Sequence, residues 1–373
     1  MAKEIAVVGA GIVGATASYY LARAGYQVTI FDEGIGQATA AAAGIICPWL
    51  SRRRNKKWYR LVSEGAAFYR QLMSDLDSDG FPTDAYKQCG TIILGNKPGY
   101  IQEVHDRAVE RRKAAPMIGT IKILAGEELK GIIPPLVPMD NALFVGGGAR
   151  VDGQALTQVL LQAALSFDGC IHNEHITLSK NKEAFSVNTL NGAVSFDAVI
   201  LAVGAWLPQA LEPLGYTVDV RGQKGQLLVL QTDSPDAKDY PVVMPQGEID
   251  LLPFEGGRVI VGASHENDKG YDLEPDPSIL TPMLGQAIAL IPSLKNADLA
   301  DVRVGTRAYT SDFSPFFGTV PGLEQCYTAS GLGSSGLTSG PLIGYSLAQM
   351  IQSKQTSLDE ADYSTNHYIT QTP

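Results

Sequence analysis

A short strand followed by a glycine loop, IAVVGAGIVG at residues 5–14, constrains this chain more than any other feature. Residues 5–8 are uninterrupted β-formers, which is typical of a central parallel strand covered on both faces. The helical periodicity that follows ends at Gly25, and a second strand is predicted over residues 28–31. A strand, a glycine loop, a helix and a second strand in this order predict a βαβ unit that binds a nucleotide.

Each glycine of the loop has a physical role if a dinucleotide binds. Gly9 allows a tight turn, Gly11 lets the backbone approach the pyrophosphate, and Gly14 lets the helix pack closely on the sheet. The helix N-terminus offers unpaired N–H groups and a partial positive charge to the phosphates. Asp32, after the second strand, lies where a carboxylate accepts ribose hydroxyls. The motif does not separate NAD from FAD, and a methyltransferase that binds an adenosyl group would use a similar acid.

Length and charge narrow the class of protein. The 373 residues exceed the usual size of a single core, so we expect two domains. The formal net charge of −10 disfavours nucleic acid as a partner, and any membrane contact should be at most peripheral. With no apolar run long enough to span a bilayer and no signal peptide, we expect a cytoplasmic protein. The four cysteines are far apart, which predicts reduced, mostly buried thiols and no metal site.

Later segments separate the candidate nucleotides. The small residues ATAAAAGII at 38–46 permit close backbone approach to a bulky group, although they would equally suit a tightly packed helix start. A strand over residues 196–203 precedes Gly204, and a strand over 325–330 precedes a second loop, GLGSSG, and an apolar helix from about residue 341 to 351. This second loop lacks a following strand and acid, so it is not a second dinucleotide-binding unit. It is expected to place a helix N-terminus next to an electron-rich group. A doubly wound NAD domain would keep one glycine loop.

The ordered motifs VVGAGIVG, TIFDE, ATAAAAGII, ARVDGQAL, VILAVGAW, KGQLLVL, VIVGAS, VGTRAYTSDFSPFFG and ASGLGSSGL resemble those of the D-amino-acid-oxidase-like FAD-dependent oxidoreductases, nearest to glycine oxidases and D-amino-acid dehydrogenases. The resemblance implies an α/β fold with a Rossmann-like FAD-binding domain and an interleaved α+β substrate domain on a mixed, largely antiparallel sheet. The FAD domain is expected to comprise residues 1–50, 140–220 and 305–373. The substrate domain is expected to comprise residues 51–139 and 221–304.

The same resemblance implies non-covalent FAD and assigns residues to each part of it. These are Gly9, Gly11, Ile12, Val13 and Gly14 for the pyrophosphate; Asp32 and Glu33 for the adenosine ribose; Thr39, Ala40, Ala43, Gly44 and Ile45 along the flavin; Ile176 at the adenine; Gly204 and Trp206 near phosphate and ribose; and Gly331, Gly333, Ser334, Ser335, Gly336 and Leu337 by the flavin pyrimidine carbonyls.

On the substrate side, the resemblance assigns Arg307, in the segment GTRAYTSD, to the substrate carboxylate. A guanidinium fork matches a carboxylate with two parallel hydrogen bonds, which would orient the Cα–H toward the flavin. The alternative is a salt bridge between Arg307 and Asp312. Hydride transfer from the α-carbon of a neutral amine would give an imino acid, which water hydrolyses to a keto acid. The cofactor carries this step, so no obligatory side-chain base is nominated.

Five further residues are expected near the substrate: Ile46, Arg52, Asp250, His265 and Ser334. Asp250 begins DLLPF, where glycine oxidases carry a Tyr-x-x-Pro-Arg-like strand, and Ser334 stands where that group has a second arginine. A glycine-specific pocket is therefore not expected. Arg52 opens a basic run, residues 52–57, which is either a solvated helix start or a cationic rim that steers an anionic substrate or docks an electron acceptor or membrane lipid.

The leading hypothesis is an FAD-dependent enzyme that oxidises a small amino acid: a D-amino acid, glycine or an N-alkyl relative. Oxidation of a 2-hydroxy acid would suit Arg307 equally. A non-catalytic FAD subunit of a larger complex is a third hypothesis, and an NAD-dependent dehydrogenase is disfavoured by the late second glycine loop. The sequence leaves open whether oxygen or a quinone accepts the electrons, and whether the chain forms a homo-oligomer.

Overall fold

A computed structural model describes residues 3–180, 185–234, 238–247 and 249–372. Its helices are numbered in chain order. They are α1 (Ile12–Arg23), α2 (Lys56–Ser78), α3 (Tyr100–Arg112), α4 (Gly126–Ile132), α5 (Gly153–Ser166), α6 (Leu207–Leu211), α7 (Pro277–Leu290) and α8 (Gly336–Ile351). In these ranges no helix is both long enough and apolar enough to cross a bilayer.

A six-stranded sheet carries the N-terminal βαβ unit. Its strands, in spatial order, are Phe316–Thr319, Cys326–Ser330, Ala198–Leu201, Glu4–Val8, Gln27–Phe31 and Cys170–His172. The first pair is antiparallel and every other pair is parallel. Residues 5–8 are buried at the centre of this sheet, and α1 packs against α5 and α8. The predicted parallel sheet with a buried first strand is confirmed.

A mixed, mostly antiparallel sheet of eight strands stands beside the first. Its strands, in spatial order, are Asp298–Tyr309, Arg221–Gln231, Arg258–Gly262, Asp250–Pro253, Val242–Met244, Thr91–Ile93, Asn141–Val145 and Ile121–Ala125. Only the pair Val242–Met244 and Thr91–Ile93 is parallel. The mixed, largely antiparallel sheet expected of the substrate domain is therefore present. The division into two domains stays a proposal. Asn141–Val145 and part of Asp298–Tyr309 pair within this eight-stranded sheet, although the expected ranges assign those residues to the FAD domain.

Three small sheets complete the described strands. They are Thr177–Lys180, Phe185–Thr189 and Gly192–Val194; Tyr216–Val218 and Ile369–Gln371; and Ile45–Ile46, Ala149–Val151 and Tyr86–Lys87. The loop before Ile45 also reaches the eight-stranded sheet, where Gln37 bridges Thr306 in parallel and the Thr306 amide donates to the Gly36 carbonyl at 3.1 Å. These contacts bring the small-residue loop against the strand that carries Arg307.

Helix α8 begins at Gly336, five residues before the predicted start near residue 341, and Pro341 lies inside it. A proline within a helix has no N–H for the carbonyl four residues earlier, here that of Leu337. The hydroxyl of Tyr69, on α2, donates to this carbonyl at 2.6 Å instead. The prediction was wrong because the compensating donor comes from a segment distant in sequence.

The basic run, residues 52–57, contains a helix start, because α2 begins at Lys56, where the Asn55 side chain accepts a hydrogen bond from the Trp58 amide at 3.0 Å. Of the cysteines, Cys47 and Cys326 are buried and Cys89 is half-buried, but Cys170 is exposed. Its edge strand, Cys170–His172, is exposed along its whole length.

Replacing Gly344 by alanine should destabilise the protein. A Cβ at this position of α8 would lie 2.4 Å from the Val13 carbonyl of α1. Because backbone blocks the new methyl group, we expect the free energy of unfolding to fall by about 2 kcal/mol or more. The matched control is Gly285→Ala in α7, where a Cβ meets nothing within 4 Å. This control should gain up to about 1 kcal/mol. Urea unfolding measures both, and a stable Gly344→Ala protein would contradict the close packing of α1 and α8.

Candidate active site

A cavity of about 500 Å³ opens at the carboxyl ends of the parallel strands. Ligands of open α/β sheets bind at this edge. Many of the residues that the resemblance assigns to FAD line it. These are Gly9, Gly11, Ile12, Val13, Asp32, Glu33, Thr39, Ile176, Gly204, Trp206, Gly333 and Gly336. Residues from the first glycine loop, the second strand and the late loop thus meet in one groove.

The first glycine loop needs its glycines for close backbone packing. Gly9 has a φ of +97°, and a Cβ there would lie 2.4 Å from the Ala202 carbonyl. A Cβ on Gly14 would lie 1.8 Å from the Gly9 carbonyl, so Gly14 packs beneath the loop and does not line the cavity. This smooth backbone cradle at the N-terminus of α1 fits the pyrophosphate of a dinucleotide.

Two side chains hold the loop in place. The hydroxyl of Thr39 accepts a hydrogen bond from the Ile12 amide at 3.0 Å. The Asp32 carboxylate accepts hydrogen bonds from the Ala10 and Gly34 amides and, at 2.8 Å, from the Gln37 side chain. A carboxylate has about four acceptor positions, so Asp32 keeps capacity for a ribose hydroxyl. The role of Thr39 in fixing the helix start was not foreseen, since it lies far from the loop in sequence.

A second cavity, of about 180 Å³, adjoins the first and shares with it Ala38, Thr39, Gly333 and Gly336. It brings together residues assigned to the flavin and to the substrate from both ends of the chain. Those residues are Ala43, Gly44, Ile45, Asp250, His265, Arg307, Ser334 and Leu337.

The Arg307 guanidinium lies in this second cavity. Its Nη1 donates to the Ser264 carbonyl at 2.8 Å and to the Gln223 side chain at 3.3 Å. Burial lowers the pKa of Arg307, while Tyr309 and Glu266 act in the opposite direction. In the part of the chain that the structure describes, no carboxylate forms an ion pair with it, and Asp312 instead accepts from Thr310, Ser314 and Tyr368. The alternative salt bridge is therefore not formed, and the guanidinium can take an anionic ligand.

Gly225 gives Arg307 its position. A Cβ on Gly225 would lie 2.4 Å from Nη1 of Arg307, so the arginine side chain crosses the strand at the point where no side chain intervenes. Sequence reasoning did not single out Gly225, Gln223 or Ser264. The one available signal was a glycine inside the strand-like segment KGQLLVL, because such a glycine marks a close approach by another group.

Asp250 contributes a carboxyl group to the same cavity. Burial raises its pKa to about 7. Among the described residues, no hydrogen bond or ion pair of this side chain is present. His265, in contrast, is exposed at the cavity wall. The cavity therefore contains a cationic group from one strand and a titratable carboxyl group from another.

Six of the assigned residues line neither of these cavities: Gly14, Ala40, Ile46, Arg52, Gly331 and Ser335. Ile46 is buried in its short strand. Ser335 accepts a hydrogen bond from the Trp58 indole at 3.3 Å, and the Ala40 carbonyl accepts from Arg303 at 3.3 Å.

Arg52 lies in a third, basic concavity of about 610 Å³. Its walls include Arg52, Arg53, Arg54, Lys56, Arg107, Arg111 and a single acid, Glu103. Glu103 pairs with Arg52 at 3.1 Å, and Arg111 donates to the Ser51 carbonyl at 2.7 Å. This concavity shares no lining residue with the cavity of Arg307.

The carboxyl group of Asp250 should make stability depend on pH. Its pKa is about 7 in the folded protein and about 3.9 when unfolded. Between these values the folded state binds more protons, so stability falls as pH rises from about 4 to 7. We expect Asp250→Asn to match the wild-type protein near pH 4 and to exceed it at pH 8 by up to about 4 kcal/mol, measured by urea unfolding.

Asp312→Asn is the control, because this substitution should lower stability at pH 8 whereas Asp250→Asn should raise it. Although burial opposes the effect, hydrogen bonds from Ser314 and Thr310 lower the pKa of Asp312. Its ionised form therefore stabilises the fold, and the asparagine variant should lose stability at pH 8 relative to wild type. A pH-independent difference between Asp250→Asn and wild type would contradict the raised pKa of Asp250.

Comparisons with known proteins agree with this geometry. The profile of the DAO family, described as FAD dependent oxidoreductase, matches residues 4–350. YurR, an uncharacterized oxidoreductase of Bacillus subtilis, is 40% identical, with 97% of this chain and 98% of that protein covered. Glycine oxidase of Pseudomonas putida is 26% identical, with 97% and 98% covered.

A crystal structure extends the comparison to three dimensions. Iminodiacetate oxidase from Chelativorans sp. BNC1 is 34% identical and superposes with a TM-score of 0.93, covering 96% of this chain and 98% of that one. Together with the family profile along nearly the whole chain, this likeness supports one conclusion: the chain belongs to the DAO family of FAD-dependent oxidoreductases.

Proposed function

We propose that this protein oxidises the bond between the α-carbon and the nitrogen of a small amino acid, such as a D-amino acid, glycine or an N-substituted relative. The observation that carries the proposal is the Arg307 guanidinium, which forms no ion pair with the described residues and lies in a cavity of about 180 Å³ beside the larger cavity. Relatives that act on glycine and on iminodiacetate support the substrate class. The product would be an imino acid, which water hydrolyses.

In this proposal Arg307 binds the substrate carboxylate. Its Nη1 is held by the Ser264 carbonyl and the Gln223 side chain, which fixes the plane of the guanidinium. The remaining N–H groups can then form parallel hydrogen bonds to a carboxylate. The small cavity restricts the substrate to a short side chain or N-substituent. Orientation of the α-carbon is the main contribution of these residues, because a fixed geometry removes much of the entropic barrier.

FAD supplies the acceptor for two electrons when it is bound. We propose that Gly9, Gly11 and Val13 contact its pyrophosphate and that Asp32 binds a ribose hydroxyl. Ile176 and Trp206 would line the adenosine end. The N-terminus of α8, with Gly333 before it, would face the flavin ring. Helix α8 has no acidic residue in its first turn, so its positive N-terminal potential is not neutralised there.

Other parts of the proposal concern partners and location. Either oxygen or a quinone would reoxidise the cofactor, and we place the protein in the cytoplasm, with a homo-oligomer as one option. Oxidation of a 2-hydroxy acid is the second candidate, because a carboxylate site at Arg307 suits both substrates. The arrangement of Arg307 in a cavity argues against a non-catalytic subunit, which would need no such site.

Replacing Arg307 by lysine tests the proposal. A lysine cannot form two parallel hydrogen bonds to a carboxylate, so we expect KM for the amino acid to rise at least a hundredfold, while the FAD content measured by absorbance stays unchanged. Glycine, iminodiacetate and a panel of D-amino acids would be assayed. The control is Arg112→Gln, on the exposed end of α3, which should behave as wild type. An unchanged KM in the Arg307→Lys enzyme would refute the assignment.

Gly225→Ala tests the position of Arg307 without removing its charge. The new methyl group would displace the flexible end of Arg307, which lies 2.4 Å from where the Cβ would stand, and not the backbone. We therefore expect kcat/KM to fall about ten- to a hundredfold with a Tm close to wild type. Gly131→Ala in α4, where a Cβ meets nothing within 4 Å, is the control. Equal activity of the two variants would contradict the contact.

A further inference from the structure

We propose that Asp250 recognises the nitrogen of the substrate and accepts a proton from it, so that the cavity selects α-amino acids over α-hydroxy acids. This inference rests on the proposed function, in which Arg307 binds the carboxylate of the same molecule. It assigns the opposite end of the substrate to a second residue of the chain.

Strand register places the two groups on one face of the sheet. Asp250 pairs with Gly262, and Gly262 pairs with Leu227 of the next strand. Arg307 crosses Gly225, two residues before Leu227. Since side chains two residues apart on a strand point to the same face, Asp250 and Arg307 both extend from that face. Their common cavity confirms this arrangement.

Glycines on three neighbouring strands let other groups lie close to the sheet near Asp250 and Arg307. Gly225 and Gly305 are paired across neighbouring strands and both line the cavity. Gly262, on the strand next to Asp250, also carries no side chain. A Cβ on Gly305 would lie 2.7 Å from the Cβ of Ala41, and the Gly225 position is covered by Arg307. Because Asp250 and Arg307 line the same cavity of about 180 Å³, we propose that a small molecule there contacts the guanidinium at one end and the carboxylate at the other.

The surroundings of Asp250 identify it as the carboxylate available to a ligand. In the described ranges its side chain has no hydrogen bond or ion pair. The buried thiol of Cys47 interacts electrostatically with it, and the other titratable groups of the cavity wall are Arg307 and His265. Glu266 is near Arg307, but its Oε1 accepts from Gln226 at 2.7 Å and from Ser264 at 2.6 Å, and it does not line the cavity.

The charges match those of a zwitterion. Burial raises the pKa of Asp250 to about 7 because the ionised carboxylate is poorly solvated. An incoming ammonium group supplies the missing counter-charge. One N–H proton then passes to the carboxylate, which becomes a carboxylic acid, and the nitrogen keeps the electron pair of the broken N–H bond. That pair is the one that forms the C=N bond when hydride leaves the α-carbon. A hydroxy acid has no cationic group at this position and leaves the carboxylate unpaired.

Two probes of the same shape test the inference on the FAD-loaded protein. The probes are 2-aminoisobutyrate and 2-hydroxyisobutyrate, which lack a hydrogen on the α-carbon and so cannot be oxidised. Binding is measured by the change in flavin absorbance at pH 6 and pH 8.5. We expect wild type to bind the amino probe at least tenfold more tightly than the hydroxy probe at pH 8.5, and this preference to shrink at pH 6. Asp250→Asn should bind both probes equally at both pH values.

Several outcomes would overturn the inference. They are a wild-type protein without preference at pH 8.5, a preference that does not change with pH, and an Asp250→Asn protein that keeps the preference. The pH series on wild type decides the matter even if the variant does not fold. Arg307→Lys separates the two proposals, because it should weaken both probes alike. If Arg307→Lys binds both probes as tightly as wild type does, the proposed function fails. If Arg307→Lys weakens both probes but wild type shows no preference for the amino probe, only this inference fails.

Discussion

Backbone contact between the small-residue loop and the strand Asp298–Tyr309 joins the two large sheets of this protein. Gln37 bridges Thr306, and the Thr306 amide donates to the Gly36 carbonyl. The approach is so close that a Cβ on Gly305 would lie 2.7 Å from that of Ala41. Both cavities lie beside this junction, which explains why they share the wall residues Ala38 and Thr39. A shift at the junction would move Arg307 relative to the larger cavity.

The charged groups of the smaller cavity differ from the net charge of the whole chain. The chain has a net charge of −10, yet the cavity presents a half-buried arginine and a carboxyl group whose pKa burial raises to about 7. Both groups extend from strands of one sheet. Desolvated charges of this kind favour a ligand that carries complementary charge and disfavour one that does not.

Local patterns predicted some elements well and others poorly. The first strand, the glycine loop and α1 were predictable because each depends on neighbouring residues: β-formers, glycines and a helical period. The start of α8 was not, because Pro341 is tolerated only through the Tyr69 hydroxyl, which donates to the Leu337 carbonyl from α2. Likewise, the alternative partner proposed for Arg307 was its neighbour Asp312, whereas its partners in the structure are Ser264 and Gln223. Hydrogen bonds between distant segments leave no local signal.

The sequence by itself determined the family, the nucleotide-binding unit and the identity of the carboxylate-binding candidate, since these depend on motifs whose order along the chain is informative. Tertiary structure alone decided that Asp250 and Arg307 share a cavity whereas Arg52 lies in another. It also decided that Gly225 makes room for the arginine. The physical reason is strand register: antiparallel pairing aligns residues from separate segments, and only that alignment shows which side chains face one another.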